Sequence, residues 1–380
     1  MVCRVAIRSC ELILLSLVFA APALAAPPAM STSQLADCFQ ARTITTSDAV
    51  ERRYALFVPK SYDSGKAWPL VIFLHGSGEC GTDGIAQTRV GLGPFVLKYR
   101  DKCPFIAVFP QGRGWFRNAE AKAVLEILAA VEQELSVDPG RIYLTGISMG
   151  GFGTWELATL RPDLFAAIVP ICGGGPTEAA PNLARVPIWC FHGARDDRVP
   201  PKLSRDMVQA VRAAGGQPRF TEFPALGHLC WDQAYTTPGL FGWLLKQRRA
   251  APPAGIRIAL DRAWSPVPTR VWWFRVDAAD PAVPRWQIDA RITSVNEIQL
   301  RTTGITACAI VDEQCGPDVK DPLKVIWNDR VAFEGLWSPE TVLKLPAGAV
   351  PTSAAATPPH EHAAAPASRP STAPAARPAR

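Results

Sequence analysis

The fold prediction starts from the sequence RIYLTGISMGGFGTW at residues 141–155. It begins with the composition of a β-strand, continues into a Gly-x-Ser-x-Gly motif centred on Ser148, and leads into a helix-compatible segment at residues 152–160. A strand that turns sharply into a helix at such a motif is typical of a nucleophile elbow, where a serine hydroxyl projects over the end of a sheet. The flanking glycines have a steric reason, because the serine backbone is forced to a positive φ and neighbours with a Cβ would clash. The motif predicts a nucleophilic Ser148.

A second glycine-bearing loop lies upstream of the elbow. Residues 69–74 (PLVIFL) form a continuous apolar run, as expected for a central strand covered on both faces, and the run ends in HGSGE at residues 75–79. In proteins with this elbow, a His-Gly-x-Gly loop after the third strand supplies an oxyanion N–H. We therefore expect this loop to supply one of the oxyanion N–H groups. Glu79 either contacts the substrate or only braces this loop.

Strands and helices alternate between residues 53 and 247. The predicted strands are 53–59, 69–74, 105–110, 141–146, 165–172, 186–191 and 219–223, and the predicted helices are 118–136, 152–160, 202–214 and 238–247, the last with Thr237 as its N-cap. Such alternation predicts an α/β fold with a mostly parallel sheet and helices on both faces.

The order of residues along the chain selects the partners of Ser148. In this kind of site the nucleophile is followed by the acid and then by the histidine. Of the three histidines before the C-terminal tail, only His228 satisfies that order, since His75 precedes the elbow and His192 precedes the acidic pair. The acid is Asp196 or the adjacent Asp197; Asp196 is favoured because it is the first acid after the strand at 186–191.

Two tryptophans are candidates for the substrate pocket. Trp115 follows the end of a predicted strand, and Trp231 lies three residues after His228. A role as ordinary core or surface residues is an equally good interpretation of both. No insertion between the strands is long enough to form an obvious lid, which favours an open site.

The two ends of the chain differ from its middle. Residues 1–26 have a basic start, an apolar core and an Ala-Leu-Ala cleavage site, which predicts a signal peptide and therefore an exported protein without a membrane anchor. Residues 346–380 are almost entirely Ala, Pro, Ser and Thr, which predicts a disordered tail. The net charge of +6 lies partly in these ends and forms no long Lys/Arg run, so the sequence does not suggest nucleic-acid binding.

Cysteines bear on the compartment and on metals. Removal of the leader leaves eight cysteines, an even number that permits disulfides in an oxidising compartment. Cys308 and Cys315 are the easiest pair to accept because they bracket a short loop, whereas Cys172 and Cys190 lie in apolar runs typical of buried thiols. The sequence contains no Cys-x-x-Cys motif or histidine cluster in its folded part, and we predict neither a metal nor a cofactor.

The composition changes near residues 250–254 (AAPPA), a plausible linker. After it, short β-rich runs follow one another at 270–276, 285–291, 297–302, 305–311, 323–327 and 331–333. The residues at 328–330 (NDR) are typical of a short hairpin loop. We predict a catalytic region at 27–250 and a small β-sandwich at 255–345, which either binds carbohydrate or polymer or serves only for packing.

The motifs together resemble one family. FLHGSGE (73–79), YLTGISMGGFGTW (143–155), HGARDDRVP (192–200) and GHLCW (227–231) are similar to exported bacterial α/β-hydrolases of the dienelactone hydrolase and phospholipase/carboxylesterase type. That group lies near polyhydroxybutyrate depolymerases, feruloyl and acetylxylan esterases and prolyl-oligopeptidase-like peptidases. The resemblance covers about residues 50–250. It implies an α/β-hydrolase fold and a Ser-His-Asp serine hydrolase that cleaves small-molecule or polymer esters. It also implies an oxyanion hole formed by the backbone N–H groups of Ser77 and Met149.

The resemblance has one departure, and it leaves two alternatives open. Dienelactone hydrolases proper use a cysteine nucleophile, so Ser148 makes dienelactone itself an unexpected substrate. A serine peptidase would need a gating domain or an acidic pair for a substrate amine, and neither is evident in the sequence. A non-catalytic binding protein that acts through its β-sandwich would not be expected to retain Ser148, Asp196 and His228 together.

Overall fold

A computed structural model describes residue 35 and residues 37–261, 269–311, 322–338 and 341–346. The predicted signal peptide, Cys315 and nearly all of the predicted tail lie outside these residues. Among the described helices, none is both long and apolar enough to span a bilayer.

The first part of the chain builds one eight-stranded sheet. Its strands are β1 (Gln40–Thr45), β2 (Glu51–Phe57), β3 (Trp68–Leu74), β4 (Ile106–Pro110), β5 (Val137–Ile147), β6 (Ala167–Ile171), β7 (Trp189–Gly193) and β8 (Arg219–Phe223). They lie in the order β1-β2-β4-β3-β5-β6-β7-β8. The strands β4, β3, β5, β6, β7 and β8 pair with one another in parallel, whereas the pairs β1–β2 and β2–β4 are antiparallel. The prediction of a mostly parallel sheet is confirmed.

Helices cover both faces of this sheet. They are α1 (Leu92–Tyr99), α2 (Asn118–Glu134), α3 (Met149–Leu160), α4 (Pro201–Ala213), α5 (Trp231–Tyr235) and α6 (Leu240–Leu244), with 3₁₀ helices at Ser77–Glu79, Ala86–Arg89 and Thr177–Leu183. Alternate residues of β3 enter two separate cores: Leu70, Ile72 and Leu74 one, Val71 and Phe73 the other. The unbroken apolar run of β3 follows from this double coverage, because no face of the strand meets water.

The end of the large sheet's region differs from the prediction. A single helix is expected at 238–247. The chain instead forms two helices of 5 residues each, α5 before that range and α6 within it. The hydroxyl groups of Thr236 and Thr237 donate to the carbonyls of Asp232 and Gln233 at 2.7 and 2.9 Å, so these threonines close α5 rather than cap a new helix. Gly239, with φ 83°, then redirects the chain into α6. Strand β1 and helix α1 are also absent from the sequence-based assignment.

The remainder of the chain is all β. Its strands are β9 (Gly255–Asp261), β10 (Thr269–Val271), β11 (Phe274–Ala279), β12 (Arg285–Ser294), β13 (Glu297–Thr303), β14 (Ile305–Ile310), β15 (Leu323–Trp327), β16 (Arg330–Gly335) and β17 (Val342–Lys344). They form a four-stranded sheet, β10-β11-β14-β17, and a five-stranded sheet, β16-β15-β13-β12-β9. Buried residues from both sheets share one apolar core, which agrees with a sandwich.

Two turns in the β region sharpen the sequence-based assignment. The run at 270–276 is a hairpin rather than one strand, since Trp272 has φ 56° and the chain reverses there. Asn328 and Asp329 both have positive φ, and Arg330 already belongs to β16, so the predicted hairpin loop has two residues. Paired positive φ values match the right-handed twist of the flanking strands.

The two regions touch through the 3₁₀ helix Thr177–Leu183. The side-chain amide of Asn182 donates to the carbonyl of Thr159 at 3.0 Å and to that of Ala259 at 3.3 Å. Leu160, the last residue of α3, packs into the β-region core. The boundaries of the catalytic region and the sandwich stay a prediction.

Candidate active site

The elbow has the backbone geometry that its motif predicts. Strand β5 ends at Ile147, Ser148 has φ 52° and ψ −117°, and α3 begins at the next residue. A Cβ on Gly150 would lie 2.0 Å from the carbonyl oxygen of Leu74. Glycine is therefore required there, because the first turn of α3 packs directly on the backbone at the end of β3.

Three side chains from three loops meet at this edge of the sheet. His228 Nε2 lies 2.9 Å from Ser148 Oγ, and His228 Nδ1 lies 2.7 Å from Asp196 Oδ2. The carboxyl ends of β5, β7 and β8 lie at one edge because these strands are parallel, which brings the loops that follow them together. We assign the hydrogens so that Nδ1–H donates to the carboxylate and Nε2 accepts from the serine hydroxyl.

Asp196 is held as a carboxylate. Its Oδ1 accepts from the backbone N–H groups of Arg198 and Val199 at 2.9 and 2.8 Å. Burial opposes ionisation, but the Val199 N–H, the His228 ring and the Arg198 N–H outweigh it and keep the pKa of Asp196 below its usual range. Asp197 is exposed. Asp196, the acid favoured from the sequence, is therefore the one whose carboxylate contacts His228.

The other two histidines are buried parts of the framework. His75 Nδ1 donates to the carbonyl of Gly76 at 2.6 Å, and its Nε2 accepts from the Gly112 N–H at 2.9 Å. His192 Nε2 lies 3.0 Å from the Val199 carbonyl and 3.1 Å from Asp196 Oδ2. The contact between His192 and Asp196 was not expected, although a histidine that ends a strand four residues before the acid is a signal for it.

The two predicted oxyanion donors both begin helices. Ser77 is the first residue of a 3₁₀ helix and Met149 the first of α3, and the first N–H groups of a helix have no acceptor within it. The Ser77 loop lies beside the nucleophile, since a Cβ on Gly76 would be 3.7 Å from the Ser148 Cβ. This arrangement can accept a negatively charged oxygen between the two loops.

Glu79 points back to its own loop. Its carboxylate lies against the Gly76 backbone, since a Cβ on Gly76 would be 3.1 Å from Glu79 Oε2, and burial raises the pKa of Glu79 above the usual value. This contact favours the bracing role over a role in substrate contact.

The two candidate tryptophans have different surroundings. Trp115 is 50% exposed, its ring lies 5.5 Å from that of Phe152 on α3, and the Arg117 guanidinium lies 4.8 Å from its centroid. Arg117 in turn pairs at 2.7 Å with the buried Glu156. Trp231 packs edge-on against His228, with ring centroids 5.6 Å apart. Half of the Trp115 surface is thus exposed to solvent, whereas Trp231 packs against the His228 ring.

The cysteines and one group of possible metal ligands bear on the disulfide and metal predictions. Every cysteine of the described residues is a free thiol, so the disulfide prediction is not supported here, and the pair Cys308–Cys315 extends outside those residues. One group within the described part of the chain has ligand spacing: Cys172, His192 and Asp196 lie within 4.8 Å. Each of these three already has a hydrogen-bond partner in the protein, as expected of a buried polar network.

Comparison with known proteins agrees with this geometry. The model of the dienelactone hydrolase family matches residues 108–233. A probable feruloyl esterase C of Aspergillus flavus is 30% identical over 183 residues, which cover 47% of this chain and 67% of the relative. The chain belongs to the dienelactone hydrolase family.

Two further proteins are similar to parts of this chain. A probable feruloyl esterase C of Aspergillus terreus is 28% identical over 176 residues, 45% of this chain and 65% of the relative. The crystal structure of a thermostable esterase superposes with a TM-score of 0.53 at 34% identity, over 57% of this chain and 64% of that one. The chain thus spans just under two thirds of the length of these two proteins. The fold of the eight-stranded region is that of an α/β-hydrolase.

Proposed function

We propose that this dienelactone hydrolase family member is a serine hydrolase that cleaves carboxylic esters. The observation that carries the proposal is the hydrogen-bonded chain from Ser148 through His228 to Asp196. Two relatives named as feruloyl esterases and a solved structure named as an esterase lend support.

The geometry supports acyl transfer in two steps. Ser148 Oγ gives its proton to His228 Nε2 and attacks the ester carbonyl carbon. The backbone N–H groups of Ser77 and Met149 stabilise the oxyanion. His228 then protonates the leaving alcohol, and water, deprotonated by the same ring, attacks the acyl-enzyme and releases the acid.

Asp196 acts through the histidine. Its carboxylate holds the ring in the tautomer that leaves Nε2 free to accept a proton, and it stabilises the imidazolium that forms. Contacts with the Cys172 sulfur and the Asp196 carboxylate raise the pKa of His228 above its usual value, against the effect of burial. A more basic ring is a better proton acceptor from serine.

The substrate class follows from the surroundings of Ser148. The exposed Trp115 face beside α3 suits a flat or apolar acyl or alcohol group. We therefore infer small-molecule or polymer-end esters as substrates. We also infer export, supported by the composition of residues 1–26, and no cofactor takes part in the mechanism.

The test is hydrolysis of p-nitrophenyl esters from acetate to octanoate and of methyl ferulate, with p-nitroanilides as the amide contrast. Ser148→Ala is compared with wild type and with Ser61→Ala, a control at an exposed serine that lies well before the elbow in the sequence. We expect ester turnover in wild type and Ser61→Ala, none in Ser148→Ala, and fluorophosphonate labelling at Ser148 alone. Folded protein with no ester turnover and no label would exclude the serine mechanism. Faster cleavage of anilides than of esters would make it a peptidase.

A further inference from the structure

Two buried thiols lie side by side behind the candidate histidine. Cys172 Sγ and Cys230 Sγ are 3.1 Å apart, and both side chains are fully buried. Cys172 directly follows β6 and has φ 49°, while Cys230 precedes α5 and lies two residues after His228. Neither sulfur reacts in the mechanism proposed above, although contact with Cys172 raises the pKa of His228.

Both cysteines also hold the backbone of the histidine. The Cys172 thiol donates to the carbonyl of His228 at 3.3 Å, and the backbone N–H of Cys230 donates to the same carbonyl at 2.9 Å. The loop that carries His228 therefore rests on the end of β6, next to the elbow, because the Ser148 N–H donates to the Ile171 carbonyl at 2.9 Å.

We propose that Cys172 and Cys230 form a disulfide that fastens the His228 loop to the end of β6. A disulfide has an S–S bond of about 2.05 Å, so the two sulfurs need to approach by roughly 1 Å. The partners are 58 residues apart in the chain. A link over such a loop restricts the unfolded chain strongly.

The oxidation needs an acceptor, and a small-molecule disulfide such as oxidised glutathione balances it. One cysteine thiolate attacks the acceptor and releases one thiolate, leaving a mixed disulfide. The second cysteine thiolate then attacks the protein sulfur of that mixed disulfide and releases the second thiolate. The protein loses two hydrogens and two electrons in total, and the acceptor is reduced to two thiols.

The timing of the reaction follows from burial. The hydrogen bond with Cys230, together with burial, raises the pKa of the Cys172 thiol, so little thiolate is present in the closed structure. Exchange therefore takes place while the segment at 224–230 is open, either during folding or in a local opening.

Peptide mapping tests the bond directly in the full-length protein. The protein is refolded with oxidised glutathione, denatured in N-ethylmaleimide and cut with trypsin. The sequence places Cys172 in the peptide 142–185, Cys230 in 220–246 and Cys190 in 186–195. We expect the first two peptides to be joined and two hydrogens lighter, and Cys190 to be alkylated. Complete alkylation of both cysteines, or a link from either to another cysteine, would overturn the proposal.

Thermal unfolding supplies a second readout with a matched control. Cys230→Ala removes the link, and Cys190→Ala removes an equally buried thiol from the neighbouring β7. We expect a reductant to lower the Tm of oxidised wild type and of Cys190→Ala by about 5–15 °C, and to leave that of Cys230→Ala unchanged. An equal shift in all three would contradict the proposal. Neither readout depends on esterase activity, so the proposed function and the disulfide can fail separately.

Discussion

The α/β region and the β region differ in what they bury. In the β region, the buried polar side chains of the described residues are Thr302 and Asn328, and these two serve a turn: the Asn328 amide bonds the backbone of Thr302. The α/β region buries all the others, including three histidines and Asp196. Buried polar groups carry a desolvation cost unless they are hydrogen-bonded. The three histidines and Asp196 lie at the carboxyl ends of β3, β7 and β8, which points to chemistry, whereas an apolar core points to packing.

Positive φ values occur in both regions, at different kinds of position. In the β region, Trp272, Asn328 and Asp329 adopt them in hairpin turns, where strand twist favours such geometry. In the α/β region, Ala49 adopts one in the turn between β1 and β2 and Asn118 at the start of α2, whereas Ser148 and Cys172 adopt them at the ends of adjacent parallel strands. Backbone strain at that edge is typical of a functional site.

The largest expected effect is at Asp196. Asp196→Asn keeps the acceptor for the backbone N–H groups but loses the charge that selects the tautomer of His228, so kcat should fall by about 10⁴-fold. Asp197→Asn, next to it and exposed, should leave kcat near wild type. Steady-state ester hydrolysis measures both. A comparable loss in the two variants would mean that Asp196 has no special role.

The β region should respond in stability instead. Trp327 is fully buried and its indole N–H donates to Thr302 Oγ1 at 2.8 Å. Trp327→Ala should lower the free energy of unfolding of the β region by about 3–5 kcal/mol, measured by chemical denaturation. The kcat per folded molecule should not change. A fall in kcat in the folded fraction would break the contrast and make the β region part of the site.

The backbone N–H of Ser77, proposed as an oxyanion donor, can be tested separately from the Ser77 side chain. Gly76 has φ −78° and ψ 175°, a conformation that tolerates a following proline, and Ser77 is the first residue of its 3₁₀ helix. Ser77→Pro should therefore delete the N–H and lower kcat by roughly 10²–10³-fold. Ser77→Ala keeps the N–H and should be close to wild type. Equal activity of the two variants would remove Ser77 from the oxyanion hole.

The raised pKa of His228 predicts the acid side of the pH profile. Because the neutral ring accepts the serine proton, kcat/KM should fall about tenfold per pH unit below that pKa, which lies above the ordinary 6.5. Hydrolysis of a neutral ester from pH 5 to 9 measures the midpoint. A midpoint clearly below 6.5 would show that the Cys172 and Asp196 contacts do not favour the imidazolium.

The smallest expected effect is at the exposed aromatic face. Trp115→Ala should raise KM for aryl esters about threefold to tenfold with little change in kcat, because the lost contact is made equally in the ground state and the transition state. Tyr99→Ala, another partly exposed aromatic residue, is the matched control. An unchanged KM would make Trp115 a surface residue that packs on Phe152 and Arg117.

Local pattern was sufficient to predict the α/β class and to name Ser148, Asp196 and His228 as candidates, whose roles stay a prediction. The Gly-x-Ser-x-Gly motif, the apolar run of β3 and the order of Ser148, Asp196 and His228 are all properties of short segments. Strand and helix periods depend on the nearest neighbours in the chain, so they can be read without the fold. The prediction of a single helix at 238–247 was wrong because the features that end α5 and start α6 leave no periodic signal. These features are the hydrogen bonds from the Thr236 and Thr237 hydroxyls to backbone carbonyls of α5 and the positive φ of Gly239.

Contacts between distant segments came only from the tertiary structure. The hydrogen bond from the Gly112 N–H to His75 Nε2, the bond from the Cys172 thiol to the His228 carbonyl and the 3.1 Å approach of Cys172 to Cys230 join residues 37, 56 and 58 positions apart, and such spacing predicts nothing about distance. Parallel strands bring their carboxyl ends together whatever the lengths of the connections between them. Short-range pattern therefore identifies the groups that could react, and the packing of the sheet sets which of them are in contact.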